Sequence, residues 1–216
     1  MQEIYIFCHG WGLDNNFWDP IRPYFALKKC IYLDIGYFGE KNINLLNLNT
    51  QNIFIGIAHS MGLIKLLSLN IKFKAIIGIH SFINFLGFDY LLRQKRIYAL
   101  QAMQHCFRLD PKKFLLYFYR KNKLQSAAFN KNSINNNLLL KDLEQLYLSV
   151  NLPKRTPILI LAARNDLVVP IDLIADNFIN NSNVNIIMHD NGWHNLCLEY
   201  SEFVFKKIIN FLKNNI

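Results

Sequence analysis

The sequence predicts an α/β fold, a doubly wound and mostly parallel sheet with a helical lid inserted after the fourth strand. Three observations carry that expectation. Short apolar runs rich in β-branched residues alternate with segments of helical spacing along the chain. Those runs show little polar alternation, as strands covered on both faces require. The strand rhythm lapses only once, for about seventy residues after Ser81. At 216 residues the simplest organisation is a single domain, 1–216, with a core of 1–81 and 154–216 around a lid at 82–153. A chain of this size buries roughly 70% of its unfolded surface.

Glu3–Cys8 reads as the first strand and ends in the glycine-bracketed turn His9–Gly10–Trp11–Gly12. Asn15 or Asn16 is a candidate cap for a short helix through Tyr24, and Lys29–Ile35 is the second strand, closing on Asp34. The third strand, Ile53–Ile57, meets Ala58–His59–Ser60–Met61–Gly62, after which Leu63, Leu66 and Leu67 fall at helical spacing. Strand, tight small-residue turn with a central serine, then helix is the layout of a nucleophile elbow, here A-x-S-x-G rather than G-x-S-x-G. Lys74–His80 is the fourth strand. The lapse that follows holds three helical stretches, Tyr90–Cys106, Pro111–Arg120 with Asp110 as its cap, and Leu138–Val150. Thr156–Ala163 is a strand, Ile171–Phe178 a helix, Val184–His189 the last strand, and Glu199–Leu212 the closing amphipathic helix.

Composition removes several classes. No apolar run approaches the roughly 20 residues of a membrane span, and the first residues lack the basic start and cleavage site of a signal peptide. Four cysteines without a CxxC pair argue against a disulfide framework and a zinc site. The default is a cytoplasmic, monomeric protein with free thiols, no metal and no cofactor. The charge of +9 is concentrated in the lid. Between Phe82 and Pro153 eleven basic residues face four acidic ones, a balance of +7. Such a segment points to an acidic partner or to a solvated helix face. A nucleic-acid role is disfavoured, since no interleaved basic and aromatic platform accompanies the charge.

In a parallel sheet the ligand site lies outside the carboxyl ends of the strands. Polar residues at those ends include His9–Gly12, Asp34, Ser60, His80–Ser81, Asn165–Asp166 and Asp190–His194. Three fit one chemistry: Ser60 as nucleophile, Asp166 as orienting acid and His194 as base. A serine hydroxyl needs a positioned base, and the base needs a carboxylate to fix its tautomer. Asp166 also reads as a turn-capping aspartate. His189 competes with His194 but falls inside a strand, whereas His194 stands in the loop after it. His59 reads as a hydrogen-bonding neighbour, His80 as a pocket residue or a core histidine, and His105 as lid surface. The backbone N–H groups of Met61 and Trp11 are the candidate oxyanion donors.

With these residues in place the chain resembles the α/β-hydrolase superfamily, and more narrowly the pimeloyl-acyl-carrier-protein methyl ester esterases of biotin synthesis. The resemblance rests on Phe7–Ile21, Tyr32–Glu40, Ile55–Leu63, Ala162–Pro170 and Gly192–Val204, with HGWG the most telling stretch. It implies a Ser60–Asp166–His194 triad and a basic lid that meets an acidic acyl carrier protein, without membrane or nucleic acid. Trp11, His80, Phe82, Phe85, Leu86 and Met103 are the candidate acyl pocket, and Arg93, Arg96, Arg108 and Arg120 the candidate carrier contacts. Ala58 departs from the usual glycine, and the lid is shorter than in larger relatives. A general short-chain carboxylesterase or thioesterase is the alternative within the superfamily, and a non-catalytic binding protein on the same fold the alternative outside it.

Overall fold

In the computed structural model, which describes residues 2–43, 51–124 and 133–216, six strands form one sheet. They are β1 Glu3–Cys8, β2 Lys29–Leu33, β3 Ile53–His59, β4 Phe73–Ile79, β5 Ile158–Ala163 and β6 Val184–His189. Their order is β2-β1-β3-β4-β5-β6, and every pairing is parallel. The four central strands are apolar along nearly their whole length because helices cover both faces, and β1, β3, β4 and β5 are accordingly buried. The edge strands β2 and β6 are only half-buried.

Helix α1 (Gly62–Leu67) follows the serine turn; α5 (Ile171–Phe178), a single turn α6 (Leu196–Glu199) and α7 (Ser201–Asn215) complete the core. Between β4 and β5 lie α2 (Tyr90–Leu109), α3 (Pro111–Lys121) and α4 (Asn136–Gln145). The Asp110 carboxylate accepts from Lys113 N–H at 2.9 Å, so it caps α3 as its sequence position suggests. Asn135 caps α4 in the same way. Val150 N–H donates to the Ile83 carbonyl at 2.9 Å, which brings the lid's exit back beside its entry. Asn177 of α5 fastens that junction. Its Oδ1 accepts from the N–H groups of Ile83 and Asn84, and its amide donates to the Asn84 carbonyl.

Three local expectations are corrected. Asp14, rather than Asn15 or Asn16, caps the segment after β1, accepting from Asn16 N–H at 2.9 Å. That segment folds as two 3₁₀ turns, Asn15–Trp18 and Arg22–Phe25, because Pro20 and Pro23 lack the N–H groups a continuous helix uses. Finally, β2 stops at Leu33, since Asp34 exchanges backbone hydrogen bonds with Asn42 instead.

Candidate active site

Ser60 follows the last residue of β3 and is held at φ 54°, a left-handed conformation unusual for a side chain. Its N–H donates to the Ile79 carbonyl at 2.9 Å and its carbonyl accepts from Leu63, so both backbone groups are anchored. The turn is this tight because β1 lies against it. A Cβ on Gly62 would stand 2.3 Å from the Cys8 carbonyl oxygen, and one on Gly10 would stand 2.8 Å from His59 Nδ1 and 3.0 Å from Ser60 Cβ. Glycine is therefore obligatory at both positions, and the HGWG turn is pressed directly onto the serine. Ala58, where the elbow usually has glycine, is fully buried and pairs with Cys8 and Gly78. A methyl group is accommodated there.

Asp166 and His194 come from the loops after β5 and β6. His194 Nδ1 donates to Asp166 Oδ2 at 2.8 Å, while Asp166 Oδ1 accepts from the N–H groups of Val168 and Val169 at 2.7 and 3.0 Å. The turn-capping and histidine-orienting readings of Asp166 are thus both satisfied by one carboxylate. Burial raises its pKa, but His194 and His80 outweigh that and hold it far below the usual carboxylate range. His59, next to Ser60, donates from Nε2 to the His194 carbonyl at 3.0 Å and ties the His194 loop to the serine turn. Burial, with His194 and His80 nearby, pushes the His59 pKa well down, so the ring is neutral at neutral pH. His189 lies elsewhere, packed on Tyr200 and Phe203, and His105 is exposed on α2.

His80 is the unexpected member. It is fully buried and, like Ser60, left-handed, and its Nδ1 stands 2.7 Å from the same Asp166 Oδ2. His80, Asp166 and His194 place ligand-type atoms within 4.8 Å of one another. The separations of 2.7 and 2.8 Å are nevertheless hydrogen-bond distances. Ligands about 2.0–2.1 Å from a tetrahedral zinc would stand roughly 3.3 Å apart, so the spacing is too short for a metal-ligand set. No sequence spacing announces this grouping, because His80 and Asp166 meet only across the sheet.

The HGWG turn also anchors the lid. Trp11 Nε1 donates to the Leu139 carbonyl of α4 at 2.8 Å, and its ring packs edge-on against Phe107, Phe114 and Phe118. Tyr119 of α3 donates its hydroxyl to the Gly12 carbonyl. A cavity of about 30 Å³ adjoins Ser60 and Met61, with Trp11, Phe82, Phe85 and Met103 in its wall. His80 and Leu86 stand outside that wall. Phe118, Leu143, Leu146 and Val168 belong to it and went unread, although the first three lie on the apolar faces of α3 and the α4 region. A groove of about 950 Å³ opens at the amino ends of β3 and β4, the opposite end of the sheet from Ser60.

The lid arginines are mostly engaged within the chain. Arg93 donates to the Gly87 carbonyl at 3.1 Å, Arg96 pairs with Asp172 of α5 at 2.8 Å, and Arg108 lies 3.3 Å from Glu144. Arg120 is exposed on the outer face of α3, together with Lys112, Lys113 and Lys121. Lys131 of the basic lid falls outside the described residues. All four cysteines are unpaired. No helix among the described residues is long and apolar enough to cross a membrane.

Neither a protein-family model nor a curated protein sequence matches the chain. Solved structures do. An esterase from Exiguobacterium antarcticum aligns over 99% of this chain and 92% of its own, with a TM-score of 0.76 and 15% identity. MenH from S. aureus aligns over 99% and 94%, with a TM-score of 0.72 and 15% identity. A bromoperoxidase from Bacillus anthracis aligns over 98% and 92%, with a TM-score of 0.67 and 15% identity. At such low identity, and across neighbours of differing activity, the likeness concerns architecture: the chain has the α/β-hydrolase fold.

Proposed function

We propose that the protein is a serine carboxylic ester hydrolase, and that its substrate is a methyl ester at the end of a pimeloyl chain borne by an acyl carrier protein. The observation that carries the hydrolase reading is the Asp166–His194 hydrogen bond, tied through His59 to the strand-to-helix turn that holds a left-handed serine. The substrate reading rests on the HGWG and basic-lid resemblance and on the apolar wall of the cavity beside Ser60.

In this mechanism Ser60 Oγ attacks the ester carbonyl carbon while His194 takes its proton through Nε2. Asp166 holds the Nδ1–H tautomer and stabilises the imidazolium. The N–H groups of Met61 and Trp11 receive the oxyanion, each such donor being worth about 3–4 kcal/mol in the transition state. His194 returns the proton to the departing methanol. A water molecule, deprotonated by His194, then cleaves the acyl-serine, releasing the free carboxylic acid and restoring Ser60. The exposed cations of α3 are the part of the lid best placed to meet an acidic carrier, since Arg96 and Arg108 already have carboxylate partners.

A short-chain carboxylesterase acting on free esters is the second reading, favoured by the small volume beside Ser60, room for about two water molecules. Two measurements decide. Ser60→Ala should lower kcat on p-nitrophenyl butyrate by at least about 10³-fold without moving the melting temperature; retained activity would remove the serine mechanism. The wild-type kcat/KM should then be about a hundredfold higher for the carrier-linked methyl ester than for the same ester without carrier. Equal values would leave the short-chain reading.

A further inference from the structure

Outside the proposed Ser60–Asp166–His194 set, His80 is a fully buried titratable side chain at the carboxyl end of the sheet with no assigned task. His80 follows β4, and its N–H extends the ladder by donating to the Leu161 carbonyl at 2.8 Å. Three features set it apart. Its backbone is left-handed, φ 50°, a conformation that a large side chain keeps only when its surroundings over-determine it. Its ring is wholly removed from solvent, yet Nε2 has no hydrogen-bond partner and the 2.7 Å contact of Nδ1 with Asp166 Oδ2 is bent off the line of the ring N–H. An apolar side chain would fill the same space without orphaned nitrogens. What compensates is the carboxylate itself.

The groups facing His80 come from three elements. Asp166 belongs to the loop after β5, His194 (ring centroids 5.3 Å apart) to the loop after β6, and His59 (6.2 Å) to the end of β3. Burial lowers the His80 pKa against the opposing pull of Asp166, so the ring is neutral at neutral pH, and only its Nδ1–H tautomer can meet a carboxylate. Asp166 then has four polar neighbours, two backbone N–H groups on Oδ1 and two imidazoles on Oδ2, which is about what a carboxylate can accept.

We propose that His80 is a positioning residue: it clamps Asp166 from the side opposite the Val168–Val169 backbone and, by sharing Oδ2 with His194, limits the basicity that the carboxylate lends to His194. The proposal rests on the triad reading above. A carboxylate oxygen whose charge is partly taken up by a second N–H stabilises the neighbouring imidazolium less. Removing that N–H makes His194 easier to protonate, so its titration and the acidic limb of kcat/KM both move to higher pH.

The test is the titration of His194 followed by ¹⁵N and ¹H NMR, which needs no turnover, so a failure of the esterase reading in Ser60→Ala is scored separately. In His80→Ala the His194 midpoint should rise by about 0.5 pH unit or more. His80→Asn, whose amide donates from a similar place and tolerates the left-handed backbone, should return it toward wild type. An unchanged midpoint in a folded His80→Ala, or an equal rise in His80→Asn, would show His80 to be a strand-end filler. Should His80→Ala not fold, the wild-type spectrum decides. A protonated Nδ1 with a bare Nε2 on His80 supports the clamp, and the reverse tautomer overturns it, because a bare Nδ1 cannot donate to Asp166.

Discussion

His59, His80 and Asp166 share the interior at the carboxyl end of the sheet, and their shifted titration shapes how the protein responds to acid. His59 and His80 have folded pKa values below that of an unfolded histidine, about 6.5. Above that pH both states carry neutral rings and nothing is lost. Below it the unfolded chain takes up protons that the folded chain refuses, so stability falls as pH drops, by at most about 1.4 kcal/mol per pH unit for each ring. Asp166, depressed rather than raised, adds its own loss only below about pH 4, the unfolded carboxylate range. Urea midpoints should therefore hold level from pH 8 to 7 and decline from 6.5 to 5. A second outcome concerns Gly62. Gly62→Ala drives a methyl into the Cys8 and His9 carbonyls and should cost about 3 kcal/mol in urea unfolding. Ser60, Asp166 and His194 could be named from the sequence as candidates because each follows a recognisable strand. The partner of His80 could not, since 86 positions of chain separate two residues that the sheet makes neighbours.

Among the elements, the strands and α5 were the most legible, because a doubly covered strand needs an unbroken apolar run and little else fits one. The lid was legible as helices but not as contacts. Its arginines read as free cations, whereas Arg96 reaches Asp172, a residue 76 positions away. Another contact of this kind joins the helix after Ser60 to α4. Lys65 of α1 lies 2.6 Å from the buried Asp142, which also accepts from the Tyr37 hydroxyl at 2.6 Å. Lys65→Met would strand a buried carboxylate and should cost about 3 kcal/mol, the low end for such pairs because Lys65 keeps some exposure. Lys65→Met combined with Asp142→Leu should recover most of that loss, as thermal unfolding would show. A double variant as unstable as the single one would mean that the pair matters for shape and not for charge.

At the scale of the molecule, the lid and the sheet are joined through the turn that would hold the oxyanion. Trp11→Phe keeps the aromatic packing but leaves the Leu139 carbonyl without its donor. The expected cost is about 1–3 kcal/mol, with faster proteolysis inside 82–153 and a lower kcat. Proteolysis unchanged from wild type would separate the Trp11 bond from lid closure. The lid has a further consequence, for how the molecule folds. It separates β4 from β5, adjacent parallel strands between which residues 80–157 intervene. Closing a loop of that length costs about 1.7 kcal/mol more than closing the dozen residues of an ordinary crossover. During synthesis Ser60 and the HGWG turn emerge before the lid, and Asp166 and His194 only after it. On the proposed serine mechanism, a nascent chain released before β5 and β6 pair would carry Ser60 without the base that activates it, so hydrolysis would wait on that pairing.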